Sequence, residues 1–172
     1  MSPHRARVAH LFLALLIFLA DRWTKHLVAA RIALYTHIQI IPGFFRLTHT
    51  ENTGAAFSLF ADSPAQWKTA MLIGFSLIAI VIVSVLLWKQ QQALTATGIA
   101  LSLILGGAAG NLWDRALHGR VVDFLLFYVK HYQWPVFNLA DSSIVVGACL
   151  LVLEILFSRP KPVTAPSNEI PS

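Results

Sequence analysis

The sequence is poor in the residue types that many enzyme sites require. It contains a single cysteine, Cys149, so neither a disulfide framework nor a thiolate metal site can be assembled within the chain. The seven histidines are scattered, no His-Glu-x-x-His pair occurs, and no serine lies in a Gly-x-Ser-x-Gly sequence. These absences exclude the zinc-peptidase and serine-hydrolase patterns and leave carboxylates as the candidate catalytic groups.

Charged residues are also scarce. They make up 12% of the 172 residues, whereas hydrophobic residues make up 56%, and a soluble domain usually contains about 25% charged residues. This composition indicates one small polytopic membrane domain. The formal net charge of +5 suits a protein that lies against anionic lipid headgroups. Nucleic acid is not expected as a partner, because no basic run carries interleaved aromatic residues.

Long apolar runs predict four transmembrane helices of about 20 residues each. The predicted spans are Val8 to Val28, Trp67 to Trp88, Leu94 to Leu112 and Leu139 to Phe157. We expect the first span to be retained rather than cleaved as a signal peptide, because Ala20-Asp21-Arg22 is a poor cleavage site. Residues 1–157 are therefore expected to form a single four-helix membrane domain, followed by a Pro-rich, disordered tail over 158–172.

One stretch outside the spans favours β-structure. Between Ile38 and Phe60, β-branched and aromatic residues surround Pro42-Gly43, which predicts a short hairpin or strand layer on the membrane surface. The expected fold class is thus an all-α membrane protein with four transmembrane helices and a small β-rich surface element.

Antiparallel connectivity gathers the polar residues on one side of the membrane. The end of the first span, the loop that follows it, the end of the third span and the start of the fourth all lie on that side. The residues expected to meet there are Asp21, Lys25, Asn52, Asn111, Asp114, Arg115, Asp123, Asn138 and Asp141. Lysines and arginines divide almost evenly between the two sides, so the positive-inside rule does not decide the orientation.

Two aspartates in this group have no basic partner at helical spacing. Asp141 lies at the start of the fourth span, where Asn138 can pair with it, and Asp123 lies upstream. A carboxylate beside hydrocarbon is costly, so intramembrane acids are functional candidates. Two nearby aspartates do not easily both ionise, so one can hold a proton while the other activates water to attack a carbonyl. The pair predicts hydrolysis of the aspartic-protease type.

The remaining charged residues have a simpler interpretation. Asp21 and Lys25 are four residues apart, and Asn111 is followed at three and four residues by Asp114 and Arg115, so each set can pair on one helix face. These charged side chains can serve only to satisfy one another, or they can contact a substrate.

Two stretches that contain glycine each allow two interpretations. Gly106-Gly107-Ala108-Ala109-Gly110 permits the close approach of a neighbouring helix, or it leaves room for a lipid or peptide. Gly54 is expected to take a turn conformation, and Asn52 either forms that turn or hydrogen-bonds an extended substrate backbone.

Five sequence blocks stand in order between Asp21 and Ile144. They are Asp21-Arg22-Trp23-Thr24-Lys25, Asn52-Thr53-Gly54-Ala55-Ala56-Phe57, Gly106-Gly107-Ala108-Ala109-Gly110-Asn111-Leu112-Trp113-Asp114-Arg115, Val121-Val122-Asp123-Phe124 and Phe137-Asn138-Leu139-Ala140-Asp141-Ser142-Ser143-Ile144. Any one block is a weak signal, but the ordered set with its membrane placement closely resembles the bacterial lipoprotein signal peptidases, also called signal peptidase II. Only the tails fall outside the resemblance.

The resemblance implies an aspartic endopeptidase of the bacterial inner membrane, with both termini cytoplasmic and the active site facing the periplasm. Its substrates would be prolipoproteins whose lipobox cysteine carries diacylglyceryl, cleaved just before that cysteine. Asp123 and Asp141 would be the catalytic dyad. The resemblance also implies no cofactor, no metal and inhibition by globomycin-type cyclic peptides.

The resemblance assigns supporting roles as well. Residues that would bind substrate or support the dyad are Asn52, Gly54, Asn111, Arg115 and Asn138; residues that would stabilise the site are Asp21, Lys25 and Asp114. Two alternatives come from other classes of protein: a lipid-headgroup transferase with Asp114, Arg115 and Asp123 around a metal, and a small proton-coupled transporter.

Overall fold

The computed structural model describes residues 2–54, 65–92 and 95–157. In this part of the chain the elements follow one another as α1 (Pro3–Arg31), β1 (His37–Ile41), β2 (Phe45–Asn52), α2 (Ala65–Trp88), α3 (Ala96–His118), β3 (Val121–Val129), β4 (Tyr132–Gln133) and α4 (Leu139–Phe157). The predicted tail over 158–172, the predicted start of the third span at Leu94, and residues 55–60 of the predicted β-rich stretch lie outside the described residues.

Three helical segments of the described chain are long and apolar enough to cross a membrane: Trp67–Trp88, Ala96–His118 and Leu139–Phe157. The predicted second and fourth spans match α2 and α4 closely. The predicted first span lies within α1, which has 29 residues but is not one of these three segments. The second half of α1 carries the charged residues Asp21, Arg22 and Lys25. Most large side chains of α2 and α4 are apolar and exposed, as expected for helices that face lipid.

The third predicted span ends too early. Hydropathy falls at Leu112, but α3 continues to His118 and stops at Gly119, whose φ of 68° is left-handed. Glycine adopts this conformation without a steric penalty, so it is a common helix terminator. The helical hydrogen bonds continue where the side chains become polar, and the extra turns carry Asp114 and Arg115.

Helix α3 is the centre of the helix packing, with contacts to α1, α2 and α4. Small residues make these contacts close. A Cβ added at Gly106 would lie 2.5 Å from the Ala14 carbonyl oxygen, and one added at Gly147 would lie 2.6 Å from the Ala100 carbonyl oxygen. The backbones approach until only glycine fits between them.

The β-structure is more extensive than the sequence predicts. Four strands form one antiparallel sheet in the order β1-β2-β3-β4. The hairpin β1-β2 falls within the predicted stretch, but the nine-residue β3 has no counterpart in the prediction, so the all-α description is incomplete. Strand β3 is apolar on both faces except at Asp123, and it therefore lacks the alternation that marks a half-exposed strand.

The sheet is attached to the helices through an apolar cluster. Val28 and Ile32 at the end of α1 are buried against Phe124 of β3, and Leu47 and Leu139 pack around them. This cluster brings β2 and β3 against the end of the bundle where α4 begins.

Candidate active site

The predicted polar residues meet at one end of the bundle. They lie on the second half of α1, the second half of α3, the facing strands β2 and β3, and the first turn of α4. Hydrogen bonds or ion pairs connect eight of them: Asp21, Lys25, Asn52, Asn111, Asp114, Asp123, Asn138 and Asp141.

Asp141 is held at the start of α4 by a reciprocal cap. The backbone N–H of Asp141 donates to Asn138 Oδ1 at 2.9 Å, and the backbone N–H of Asn138 donates to Asp141 Oδ2 at 3.2 Å. Asn138 thus has the position of the N-cap and Asp141 that of the third helical residue. The positive end of the helix dipole favours a negative charge there, and Asp141 is only half-buried, so water can reach it.

Asp123 is more deeply buried, with 3% of its surface exposed. It lies on β3 directly opposite Thr50. Asn138 Nδ2 donates to one of its carboxyl oxygens at 2.7 Å, and Asn52 Nδ2 donates to the other at 3.1 Å. Burial, followed by the charge of Asp141, raises the pKa of Asp123 from 3.8 to about 6, although the two amide donors oppose this shift.

Asn111 connects this pair to the helices. Its Nδ2 donates to Asp141 Oδ1 at 2.7 Å, while its Oδ1 accepts from Lys25 Nζ at 3.0 Å and from Asn138 Nδ2 at 3.3 Å. One amide side chain therefore fixes the orientation of a carboxylate, an ammonium and a second amide.

A cluster of charged residues lies behind Asn111, and its members Asp21, Lys25 and Asp114 are buried. Lys25 Nζ is 2.7 Å from Asp21 Oδ2 and 2.8 Å from Asp114 Oδ2, and Asp21 Oδ1 accepts the backbone N–H of Ala140 at 3.0 Å. Arg22 pairs with the other oxygen of Asp114. The Asp21–Lys25 pairing predicted from spacing is confirmed. Asp114 pairs across helices with α1 and not with its own neighbours in α3.

Arg115 and Asp114 are adjacent in α3 but interact with different groups of the site. Arg115 interacts electrostatically with Asp141 and Asp123 as well as with Asp114, and its buried Nε has no hydrogen-bond partner among the described residues. The guanidinium group therefore places a positive charge near both carboxyl groups.

Asn52 and Gly54 form a turn at the end of β2. The backbone N–H of Gly54 donates to Asn52 Oδ1 at 2.8 Å, and Gly54 has a φ of 90°. Asn52 therefore forms the turn with its oxygen and contacts Asp123 with its nitrogen. The turn conformation predicted for Gly54 is confirmed.

The glycine face of α3 is filled by protein. Cβ atoms added at Gly107 and Gly110 would lie 2.5 Å from the Ala140 carbonyl oxygen and from Asp21 Oδ2, respectively. The packing interpretation holds, and the alternative of an open space for lipid or peptide at these glycines is wrong. Gly110 also lets Asp21 reach the ion cluster.

Three contributors were not singled out from the sequence. Arg22 pairs with Asp114, and Thr50 Oγ1 donates to the Asp123 carbonyl at 3.1 Å. The backbone N–H of Ala140 contacts Asp21. Pairing across helices leaves no spacing signal, whereas Thr50, two residues before Asn52, would have been found by strand periodicity once β2 was paired with β3.

The described residues contain no group of three or more His, Cys, Asp or Glu side chains that could hold a metal ion. The donors in the site are amides, ammonium and guanidinium groups, and these complement carboxylates.

Comparisons with known proteins agree over most of the chain. A family model described as signal peptidase (SPase) II matches residues 13–157. The lipoprotein signal peptidase of Solibacter usitatus is 47% identical over 148 residues, which cover 86% of this chain and 89% of that protein. The lipoprotein signal peptidase of Francisella tularensis subsp. novicida is 40% identical over 161 residues, which cover 94% of this chain and 99% of that protein.

A solved structure shares the fold. A bacterial membrane enzyme determined by the in meso method at 2.3 Å resolution is 28% identical, with a TM-score of 0.75 over 90% of this chain and 93% of that chain. None of these matches supports the transferase or transporter alternatives.

Proposed function

The chain belongs to the signal peptidase II family, and on this premise we propose that it is an intramembrane aspartic endopeptidase. It removes the signal peptide from prolipoproteins and cuts just before the cysteine that carries diacylglyceryl. Family membership supports the peptidase activity, and the geometry around Asp123 and Asp141 supports the aspartic mechanism.

The observation that carries the mechanism is the bridge made by Asn138. Its side chain donates to Asp123 and its backbone N–H donates to Asp141, so one residue orients both carboxyl groups. Two carboxyl groups held this close share a proton more readily than both ionise. Burial, followed by the charge of Asp141, raises the pKa of Asp123 to about 6, and this shift favours Asp123 as the member that holds the proton.

The roles of the two aspartates follow from their surroundings. Asp141, which accepts from Asn111 and from the start of α4, takes a proton from water as the water oxygen attacks the scissile carbonyl carbon. Asp123 gives its proton to the carbonyl oxygen, and the tetrahedral intermediate forms. The C–N bond then breaks as the proton held by Asp141 passes to the leaving amine. One hydroxyl of the intermediate returns its proton to Asp123, which gives the carboxylic acid product and restores the pair.

The supporting residues hold this pair in place. Asn52 and Asn111 fix the rotamers of the two carboxyl groups, and the Arg115 guanidinium group supplies a positive charge near both of them. Gly54 shapes the turn beside Asn52, while Asp21, Lys25 and Asp114 join α1 to α3 and α4. A site fixed within about 0.5 Å by such a second layer of contacts is preorganised for catalysis.

The proposed topology has α1 as a fourth transmembrane helix. Two features support this crossing: the length of α1, and the bond from Arg7 Nε to the Trp88 carbonyl at 3.1 Å, which joins the start of α1 to the end of α2. Four crossings put both termini on one side of the membrane. We take the orientation from the family resemblance and propose that the protein lies in the bacterial inner membrane, with its termini in the cytoplasm and Asp123 and Asp141 facing the periplasm. Membrane lipids and globomycin-type inhibitors are the further partners proposed.

The test uses purified protein and two matched prolipoprotein peptides, one with and one without diacylglyceryl on the cysteine. We expect Asp123→Asn and Asp141→Asn each to abolish cleavage while the protein stays folded in detergent. Chelators are expected to have no effect, and the lipid is expected to be required because each buried methylene contributes about 0.8 kcal/mol to anchoring the substrate. Near-normal turnover by either variant contradicts the dyad, and equal rates on the two peptides contradict the lipid requirement.

A further inference from the structure

Strand β2 contains one extra residue where it passes the candidate site. Leu47 pairs with Leu125 and Thr50 pairs with Asp123, so three steps along β2 match two steps along β3. The extra residue forms a β-bulge at Thr48 and His49, and both of these residues are buried. Bulges change the direction of side chains further along a strand.

The bulge determines which side chains of β2 face Asp123. Thr50 lies opposite Asp123, and Asn52 lies two residues further along the strand on the same face. A register shift of one residue would turn every following side chain to the other face of the sheet. Without the bulge, Glu51 would replace Asn52 beside the dyad, and a third carboxylate would replace an amide donor.

His49 ties the bulge to the end of α1. Its Nδ1 is 2.8 Å from the carbonyl oxygen of Ile32, the residue that caps α1. A carbonyl only accepts, so Nδ1 carries the proton in this contact. The imidazole thereby satisfies a carbonyl that the helix leaves without a partner.

Backbone contacts secure the same junction. The Tyr35 N–H donates to the His49 carbonyl at 2.8 Å, and the His49 N–H donates to the Thr36 carbonyl at 3.1 Å. Thr48 Oγ1 also donates to the Thr36 carbonyl, at 3.0 Å. Tyr35 has a φ of 61°, a conformation that side-chain-bearing residues rarely adopt, so these contacts hold a strained turn in place.

We propose that His49 is a positioning residue for the aspartate pair. By joining the bulge of β2 to the end of α1, it sets the register that brings the Asn52 amide to the Asp123 carboxyl group. This inference rests on the proposed aspartic mechanism, because Asp123 is the group that His49 positions through Asn52.

Two substitutions separate the hydrogen bond of His49 from its shape. In His49→Asn, Nδ2 is bonded to Cγ as Nδ1 is in histidine, so the donor to Ile32 is kept. In His49→Leu, a methyl group takes that place and the donor is lost, while the two side chains have almost the same size and branching. A difference between these variants therefore reports the hydrogen bond to the end of α1.

The measurement is the pH profile of kcat for a lipidated peptide. The hydrogen bond from Asn52 lowers the pKa of Asp123. Because the proposed mechanism needs the proton on Asp123, loss of this bond should move the alkaline limb of the kcat profile to higher pH. We expect His49→Leu to show this shift and a fall in kcat of about tenfold or more, in keeping with the cost of small displacements of catalytic groups. His49→Asn is expected to keep the wild-type limb.

Further variants make the outcome decisive. Asn52→Ala is expected to shift the limb as His49→Leu does, and the double variant should shift it no further. Where His49→Leu does not fold, Thr48→Val removes the neighbouring anchor to Thr36 and should move the limb in the same direction. If His49→Leu keeps the wild-type alkaline limb, the inference is overturned. If His49→Leu does not fold, a wild-type limb in Thr48→Val overturns it. Identical pH profiles for His49→Leu and His49→Asn also overturn it. Activity in Asp123→Asn instead overturns the aspartic mechanism.

Discussion

Asn138 and Asp141 cap one another at the first turn of α4, with each backbone N–H donating to the side-chain oxygen of the other residue. The same contacts that begin the helix also orient a candidate catalytic carboxylate. The side-chain nitrogen of Asn138 donates to Asp123 and, at a longer distance, to Asn111. Helix initiation and the alignment of the two carboxyl groups therefore depend on one amide.

The two roles of Asn138 can be separated by substitution. Serine is a good N-cap and keeps an oxygen for the Asp141 N–H, but it lacks the donor to Asp123. We expect Asn138→Ser to retain most of the stability and to lose most of the kcat. Asn138→Ala should lose the same kcat and in addition about 1 kcal/mol of unfolding free energy. Thermal unfolding in detergent and peptide cleavage, measured on both variants, check this; full activity in Asn138→Ser contradicts it.

The pH dependence follows from the direction of the Asp123 shift. Its pKa is raised from 3.8 to about 6 in the folded protein, so the folded state binds the proton more tightly than the unfolded state. The stability that this group contributes is complete below pH 3.8 and is lost as the pH rises through about 6. Activity that needs the proton on Asp123 should fall as the pH rises through about 6. Carboxyl titration by NMR and the pH–rate profile should agree, and Asp123→Asn should remove the stability change.

The sequence predicts which polar residues meet better than it predicts the elements that carry them. Asp123, Asp141 and Lys25 could be identified because a charge beside hydrocarbon is costly and therefore stands out. Strand β3 could not be identified, because its sequence is apolar on both faces around Asp123 and has no alternating pattern. The predicted third span ends at Leu112 and α3 continues to His118, because hydropathy depends on the side chains, whereas the helical hydrogen bonds are made by the backbone.

The sequence also could not predict which charged residues pair across different helices. Asp21 and Lys25 lie four residues apart in one helix, and this spacing predicts their pairing. The pairs that Asp114 makes with Lys25 and Arg22 depend instead on how α1 lies against α3. The bulge at His49 has no sequence signal either, because it exists only relative to the strand opposite.

Lys25 should be the most destabilising single charge to remove. It is 1% exposed and lies between two carboxylates, Asp21 and Asp114. Lys25→Met keeps the length of the side chain but leaves both acids without their shared partner, for which we expect a loss of about 3–5 kcal/mol. Arg120→Met is the control, because its pair with Glu51 is partly exposed and should contribute about 1 kcal/mol or less. Equal losses in the two variants contradict the role given to Lys25.

Gly110 should link helix packing to catalysis. A Cβ at Gly110 would lie 2.5 Å from Asp21 Oδ2, and Asp21 also accepts the Ala140 N–H at the start of α4. We expect Gly110→Ala to cost about 1–3 kcal/mol of stability and to lower kcat, because a displaced Asp21 moves the helix turn that carries Asp141. Gly106→Ala crowds the Ala14 backbone and not Asp21, so it should lower stability with a smaller effect on kcat. Gly74→Ala, which meets nothing within 4 Å, should leave kcat unchanged and raise stability by about 0.5–1 kcal/mol, because alanine favours the helix. If Gly106→Ala and Gly110→Ala lower kcat equally at matched stability, Asp21 does not transmit the packing defect to the dyad.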